Sequence, residues 1–110
     1  MLGIVAVRFF DRPSPAHQFI DERLQAAEQG DAVAQAFIGI LHYGDGNFEE
    51  SVKWLRRAAA QNNANAQFFL ASCYRDGLGV PVDLDKAREL YQLAADRGSQ
   101  AARTVLERLE

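Results

Sequence analysis

A single cysteine, Cys73, is all this chain carries, so it can form no internal disulfide and is not a disulfide-stapled scaffold. Long hydrophobic runs are missing too. The longest, Met1 to Val7, falls far short of the roughly 20 residues a membrane helix needs. Nor does that run read as a secretory leader, because Arg8 follows it instead of preceding it and no clean cleavage site comes after. A cytoplasmic protein without a membrane span is the expectation, or a periplasmic or secreted one if a leader has been removed. Positive charge is in short supply: 12 Lys and Arg face 15 Asp and Glu, for a net charge of −3. Nucleic-acid binders present a basic face. The densest cationic cluster, Lys53, Arg56 and Arg57, spans one helical turn and reads as a solvated surface. No nucleic-acid partner is expected.

Chemistry-bearing groups are equally sparse. The two histidines, His17 and His42, lack i, i+4 spacing, and no CxxC is present, so no transition-metal site is expected. His17 falls in the first turn of a capped helix and reads as exposed. Cys73 lies beside Tyr74 on the buried side of a helix, where a free thiol acts as a small inert hydrophobe. Glu49-Glu50 and Asp83, Asp85 and Glu89 sit near helix starts, where carboxylates complement the helix dipole. Neither set has calcium-loop spacing. Gly77-Leu78-Gly79 lacks the Lys and following Ser or Thr of a phosphate loop. No catalytic site and no cofactor is expected.

What the chain has is internal repetition. Ala34-Gln35 with Phe37-Ile38 returns as Ala66-Gln67 with Phe69-Leu70, and again in part at Ala102-Arg103. Ala26-Ala27-x-x-Gly30 returns as Ala58-Ala59-x-x-Asn62 and Ala94-Ala95-x-x-Gly98. The spacing is 32 residues from Ala34 to Ala66 and 36 from Ala66 to Ala102. Periods in that range mark stacked helix pairs, each burying its apolar face on the next. Hydrophobic content of 48% is enough for a folded core in a single domain of 110 residues.

Asp31, Asn63 and Ser99 recur at equivalent places, each able to cap the helix that follows. Asn47 with Glu50 has the spacing of a capping box, Asp83 caps another helix, and Ser14-Pro15 starts the first. The pattern predicts an all-α fold, a short α-solenoid of about six helices in antiparallel pairs. "A" helices fall near 32–43, 64–75 and 100–109, and "B" helices near 15–29, 48–61 and 84–97. Residues 1–13 form an apolar lead-in, either a short extended segment or a stretch packed on the first helix. Residues 14–110 form the repeat domain, with repeats at 31–63 and 64–99 and partial units at 14–30 and 100–110. Ile38, Leu41, Trp54, Leu55, Leu70, Tyr74, Leu90 and Tyr91 are expected to fill the space between helices.

The second repeat, Ala66-x-x-x-Leu70-Ala71-x-x-Tyr74-x-x-Gly77-x-Gly79-Val80 continuing through Asp83-x-x-Lys86-Ala87-x-x-Leu90-Tyr91-x-x-Ala94-Ala95-x-x-Gly98, resembles the Sel-one-like repeat, a relative of the tetratricopeptide repeat. The first repeat departs from that pattern: His42 stands where Tyr is usual, and its turn, Gly44-Asp45-Gly46-Asn47, is four residues shorter. At that aromatic position His42 reads as a packing residue. The resemblance implies a noncatalytic adaptor, scaffold or regulator that binds a protein or peptide, and a bacterial source. Some bacterial members resemble signalling, host-interaction or toxin-immunity proteins.

The resemblance also implies that A helices line a concave groove. Aligning Ile38-Gly39 and Leu70-Ala71 with the family's Leu-Gly pair points Val33, Ala36, Ile40 and Tyr43 into it, with Asn65, Phe68, Ser72 and Arg75 from the second A helix and Ala101, Thr104 and Arg108 from the third. Such a surface suits a peptide with apolar residues and a carboxylate. The competing reading is a self-associating structural subunit, or an effector inhibitor, that uses the open ends of the array. The apolar Leu2, Ile4, Val5, Val7, Phe9 and Phe10 favour it if exposed.

Overall fold

A computed structural model describes residues 14–109 of the chain. The lead-in at residues 1–13, with the six apolar residues named in it, lies outside the described residues, as does Glu110. Among the described residues six α-helices follow one another: α1 (Pro15–Glu28), α2 (Ala32–Gly44), α3 (Phe48–Ala60), α4 (Ala64–Asp76), α5 (Leu84–Asp96) and α6 (Gln100–Leu109). No strand occurs among the described residues. Each helix packs on its neighbour in sequence, and α2 also touches α4, so the A helices α2 and α4 stack side by side. This is the short α-solenoid that the repeats imply.

The helices start where side-chain oxygens meet free backbone N–H groups. Asp31 Oδ1 accepts from Ala34 N at 2.9 Å, Asn63 Oδ1 from Ala66 N at 2.9 Å, Asp83 Oδ1 from Lys86 N at 3.0 Å and Ser99 Oγ from Ala102 N at 3.1 Å. Ser14 Oγ does the same for His17 N at 3.2 Å. The expected Asn47–Glu50 capping box does not form. Asn47 has φ −85° and ψ 66°, outside the extended region from which a cap side chain reaches back, and makes no side-chain cap bond. The shortened turn causes this: Asn47 N donates to His42 O at 2.9 Å to close it, and Glu50 instead approaches Lys53 at 3.7 Å.

The alanine pairs explain how the units join. Ala27 O accepts from Gly30 N at 3.0 Å and Ala26 O from Asp31 N at 3.1 Å. The same two bonds recur from Asn62 and Asn63 to Ala59 and Ala58, and from Gly98 and Ser99 to Ala95 and Ala94. This is the Schellman pattern, which needs a left-handed residue. Gly30, Asn62 and Gly98 supply it with φ of 105°, 68° and 98°, and Asn tolerates that region where most side chains do not. Each B-to-A corner carries a third bond, from the side chain eight residues past the second alanine. Gln35 Nε2 donates to Ala27 O at 3.0 Å, Gln67 Nε2 to Ala59 O at 3.4 Å and Arg103 Nη2 to Ala95 O at 3.4 Å.

Within a unit, A and B helices approach closely. A Cβ on Gly39 would lie 2.8 Å from Leu55 Cδ2, and Ser51 Oγ donates to Gly39 O at 2.7 Å across the same contact. Ala71 stands at the equivalent place in the second unit, where Tyr91 replaces Leu55; all three of these residues are fully buried. Leu41 departs from expectation. It is 38% exposed, lining an open groove with Ile20 and Leu24 of α1. Trp54 and Tyr74 are half-buried.

The longer second turn has a definite job. Gly79, at φ 74°, sits so close to the start of α3 that a Cβ would lie 2.6 Å from the Phe48 carbonyl carbon and oxygen. Successive turns therefore pack on each other through backbone. Gly79→Ala should cost about 2 kcal/mol or more, from left-handed strain plus collision with rigid backbone; an unchanged urea midpoint would remove this contact from the account. Leu70, 4% exposed in the main core cluster, should cost about 2–5 kcal/mol on truncation to alanine. An unaltered melting curve for Leu70→Ala would overturn the core assignment.

Candidate functional site

The face formed by α2 and α4 carries a row of aromatic rings. Tyr43, near the end of α2, meets Phe48 edge-on at 5.5 Å and Phe69 at 5.2 Å. Phe69 meets Phe68 at 5.4 Å, and Phe68 meets Tyr91 at 5.6 Å. Edge-to-face pairs add about 0.5–1.5 kcal/mol each beyond the area they bury, so the row is held rigid. Tyr91 is fully buried and its hydroxyl lies 2.8 Å from Ser72 Oγ. Tyr43, Phe48, Phe68 and Phe69 remain half-buried. Where the row ends at Phe48, an open cleft of about 460 Å³ lies among Gly46, Asn47, Phe48, Glu49, Glu50 and Gly79.

The structure sorts the residues expected to line a groove. Tyr43, Ile40, Phe68 and Arg75 are half-buried, whereas Val33 (72% exposed), Asn65, Ala101 and Arg108 are open to solvent. Thr104 is half-buried and returns its hydroxyl proton to its own helix, at Gln100 O 3.1 Å away. Ala36 and Ser72 are corrections. Both are buried, Ala36 in the core cluster beneath Ile40 and Tyr43, and Ser72 against the Tyr91 hydroxyl. Neither can touch a partner on a surface. Of the expected groove residues, Tyr43 and Phe68 belong to the run of rings and Arg75 lies over Tyr91, which is in the core as expected; Phe48 and Phe69 were not among the residues expected there. The adjacent Phe68-Phe69 pair, one ring on each side of the helix seam, was the available signal.

Arg75 is not a free anion receptor. Its guanidinium forks onto Asp76, Nε to Oδ1 at 3.0 Å and Nη2 to Oδ2 at 2.9 Å, and lies over the Tyr91 ring at 5.9 Å. The Asp76 hydrogen bond holds Arg75 above its ordinary pKa, and the same bond lowers that of Asp76. A partner carboxylate would have to displace Asp76. Burial raises the Tyr43 hydroxyl, with smaller contributions from Cys73 and Asp76, and burial likewise raises Tyr91. Among the described residues, no three His, Cys, Asp or Glu side chains cluster as a metal would need. No helix among them is long and apolar enough to cross a membrane.

The Sel1 repeat family matches residues 32–63 and 64–99. The chain belongs to the Sel1 repeat family. Its fold is similar to the crystal structure of a Sel1 repeat protein from Oxalobacter formigenes, with TM-score 0.75 and 33% identity, over 80% of this chain and 27% of that one. It is also similar to c5321, described as a protective antigen of uropathogenic Escherichia coli displaying an SLR fold, with TM-score 0.77 and 32% identity, over 90% of this chain and 23% of that one. In sequence it is 39% identical over 87 residues to mouse DAP3-binding cell death enhancer 1, covering 77% of this chain and 17% of that protein. This Sel1 repeat chain thus spans a small part of each longer relative. Similar proteins come from mammals, bacteria and a fungus.

Cys73 gives a test of how this Sel1 repeat core is closed. Burial, with Asp76 nearby, pushes its thiol up to about 11. The unfolded chain then loses this proton first as pH rises, so folding stability falls with pH until the folded thiol ionises too. Between about pH 9 and pH 11, wild type should lose more urea stability than Cys73→Ala. Parallel losses in the two proteins would show that Cys73 is not sealed in the core.

Proposed function

We propose that this Sel1 repeat chain is a noncatalytic interaction module that holds a protein or peptide partner on the face formed by α2, α4 and α6. The observation that carries the reading is the row of edge-packed, half-exposed rings Tyr43, Phe69 and Phe68, continued by Ile40. Rigid aromatic surface gives contact area at low entropic cost, and Tyr, Phe and Arg are common anchors at interfaces. Val33, Asn65, Ala101 and Arg108 on the same three helices are exposed. The mouse relative is named for binding DAP3, in keeping with a partner-holding role for this repeat. Because Arg75 is taken up by Asp76, the favoured partner presents apolar side chains to the rings, with Arg108 as the open cation for a carboxylate.

The test uses substitutions that leave the core alone. Val33→Glu, Asn65→Arg and Arg108→Glu together alter three helices at exposed positions. Capture from a native lysate by wild type should be lost at least tenfold in the triple variant, while Lys53→Glu on α3 captures normally. Full capture by a folded triple variant would remove this face from the interaction. The competing self-association reading is favoured by exposed Phe19, Ile20 and Val33. It requires a native mass above one chain, and a monomer at high concentration counts against it.

A further inference from the structure

The B helices α3 and α5 both pack on α4 but scarcely touch each other. The groove left between them has a volume of about 360 Å³. Each of the three helices gives it one hydrogen-bond donor and one apolar residue, four positions apart: Arg56 and Ala60 on α3, Tyr74 and Leu70 on α4, Lys86 and Leu90 on α5. Four positions span about 6 Å along a helix. The donors share one end of the groove. Arg56 Nη2 donates to the Tyr74 hydroxyl at 3.0 Å. Asp83, whose carboxylate caps Lys86 N, donates its own N–H to Tyr74 O at 2.9 Å, which brings the start of α5 to the same end. The other end is apolar, with Leu70 and Leu90 buried and Leu93 40% exposed.

The donor end has capacity to spare. The Tyr74 hydroxyl accepts from Arg56, so its own proton is left to donate, and it meets no protein acceptor among the described residues. Accepting from a guanidinium also polarises the hydroxyl and makes it a stronger donor. Arg56 and Lys86 form no ion pair among the described residues, where the bridges are Lys53–Glu50 and Arg75–Asp76. Glu89 is the one carboxylate in the lining, against two cations, in a chain of net charge −3. The local charge is thus opposite in sign to that of the whole. We propose that the α3–α4–α5 groove docks an acidic amphipathic helix of a protein partner. A leucine-type side chain of that helix seats on Leu70, Leu90 and Leu93, and an Asp or Glu one turn away meets Arg56, Tyr74 and Lys86. Residues at i and i+4 of a helix stand about 5–6 Å apart on one face, which matches the spacing between the two ends of the groove. Apolar anchors at that interval are how amphipathic helices enter grooves, and the charge-assisted bonds to the carboxylate fix the register. The groove shares no lining residue with the row of Tyr43, Phe69 and Phe68, so this surface does not rest on the reading of the A-helix face.

The probe is an alanine-based helical peptide with leucine at i and glutamate at i+4, titrated into the isotope-labelled full chain and followed by amide chemical shifts. Saturable shifts at Leu70, Tyr74, Lys86 and Leu93 are expected. Affinity should fall at least tenfold when glutamine replaces the peptide's glutamate, and likewise when alanine replaces its leucine. Arg56→Gln with Lys86→Gln alters two exposed residues and should weaken binding at least tenfold with helical circular dichroism unchanged. Equal affinity for the glutamine peptide, or full affinity in the folded double variant, overturns the proposal. So does a titration without saturable shifts at these four amides. Tighter binding of an unstructured peptide whose only acid is its terminal carboxylate would assign the groove to a chain end and refute a helical occupant.

Discussion

The carbonyl of the second alanine in each pair is the point on which the array turns. Ala27, Ala59 and Ala95 each accept the cap N–H three residues on and a side-chain N–H from the next helix eight residues on. A backbone carbonyl has two lone pairs, and here both are used. One bond ends the B helix and the other fixes where the following A helix lies against it. Because the same carbonyl does both, the corner angle repeats, and a repeated corner is what makes a solenoid from helices that could otherwise pack in many ways. The corners are not identical. Gln35 Oε1 accepts from Gln61 Nε2 at 2.8 Å, whereas the equivalent Gln67 Oε1 is buried without a protein partner. Arg97 replaces Gln61 one unit on, so the second corner lacks the side-chain amide that completes the first.

Close approach inside each unit then decides what is left outside. Gly39 and Ala71 let Leu55 and Tyr91 come in until they are fully buried. With the B helices drawn in tightly, larger residues on the A helices have no space between the layers. Tyr43 of α2 meets Phe69 of α4 edge-on, Phe68 meets Phe69 and Tyr91 of α5, and Tyr43, Phe68 and Phe69 stay half-buried. Enlarging Gly39 would drive its side chain into Leu55.

Much of this was legible in the sequence, and the reason is physical. Repeats, caps and the left-handed corner residues are local features, written within a dozen residues of where they act. Asp31, Asn63, Ser99 and the Gly30, Asn62, Gly98 series could be read for that reason, and helix ends follow them within a residue or two. What escaped depends on contacts across units. Asn47 has a good capping residue type, yet the short turn holds its backbone at the wrong ψ. Leu41 has the spacing of a core residue, but no helix covers it. Ala36 and Ser72 were placed on the right helix face at the wrong depth, because depth is set by Tyr43 and Tyr91 packing over them. Arg75 looked free because an adjacent residue in sequence, Asp76, rarely offers a bidentate partner, and here it does.

That last detail shapes the character of the site. The groups at its centre are all held in their ordinary neutral-pH forms, and more firmly than in water. Burial keeps the Tyr43, Tyr91 and Cys73 protons on, and the Arg75–Asp76 pair reinforces its own charges while cancelling them. None of these groups titrates into reactivity near pH 7, where general acid–base or nucleophilic work would need it. The pair is also partly exposed, so its energy is small and screened. Its effect is to remove a strong field from beside Tyr91, where the aromatic row meets α5. On the proposed reading, a surface of fixed rings beside an internally neutralised pair would discriminate by shape and apolar contact, with the exposed Arg108 on α6 as a charge open to a partner.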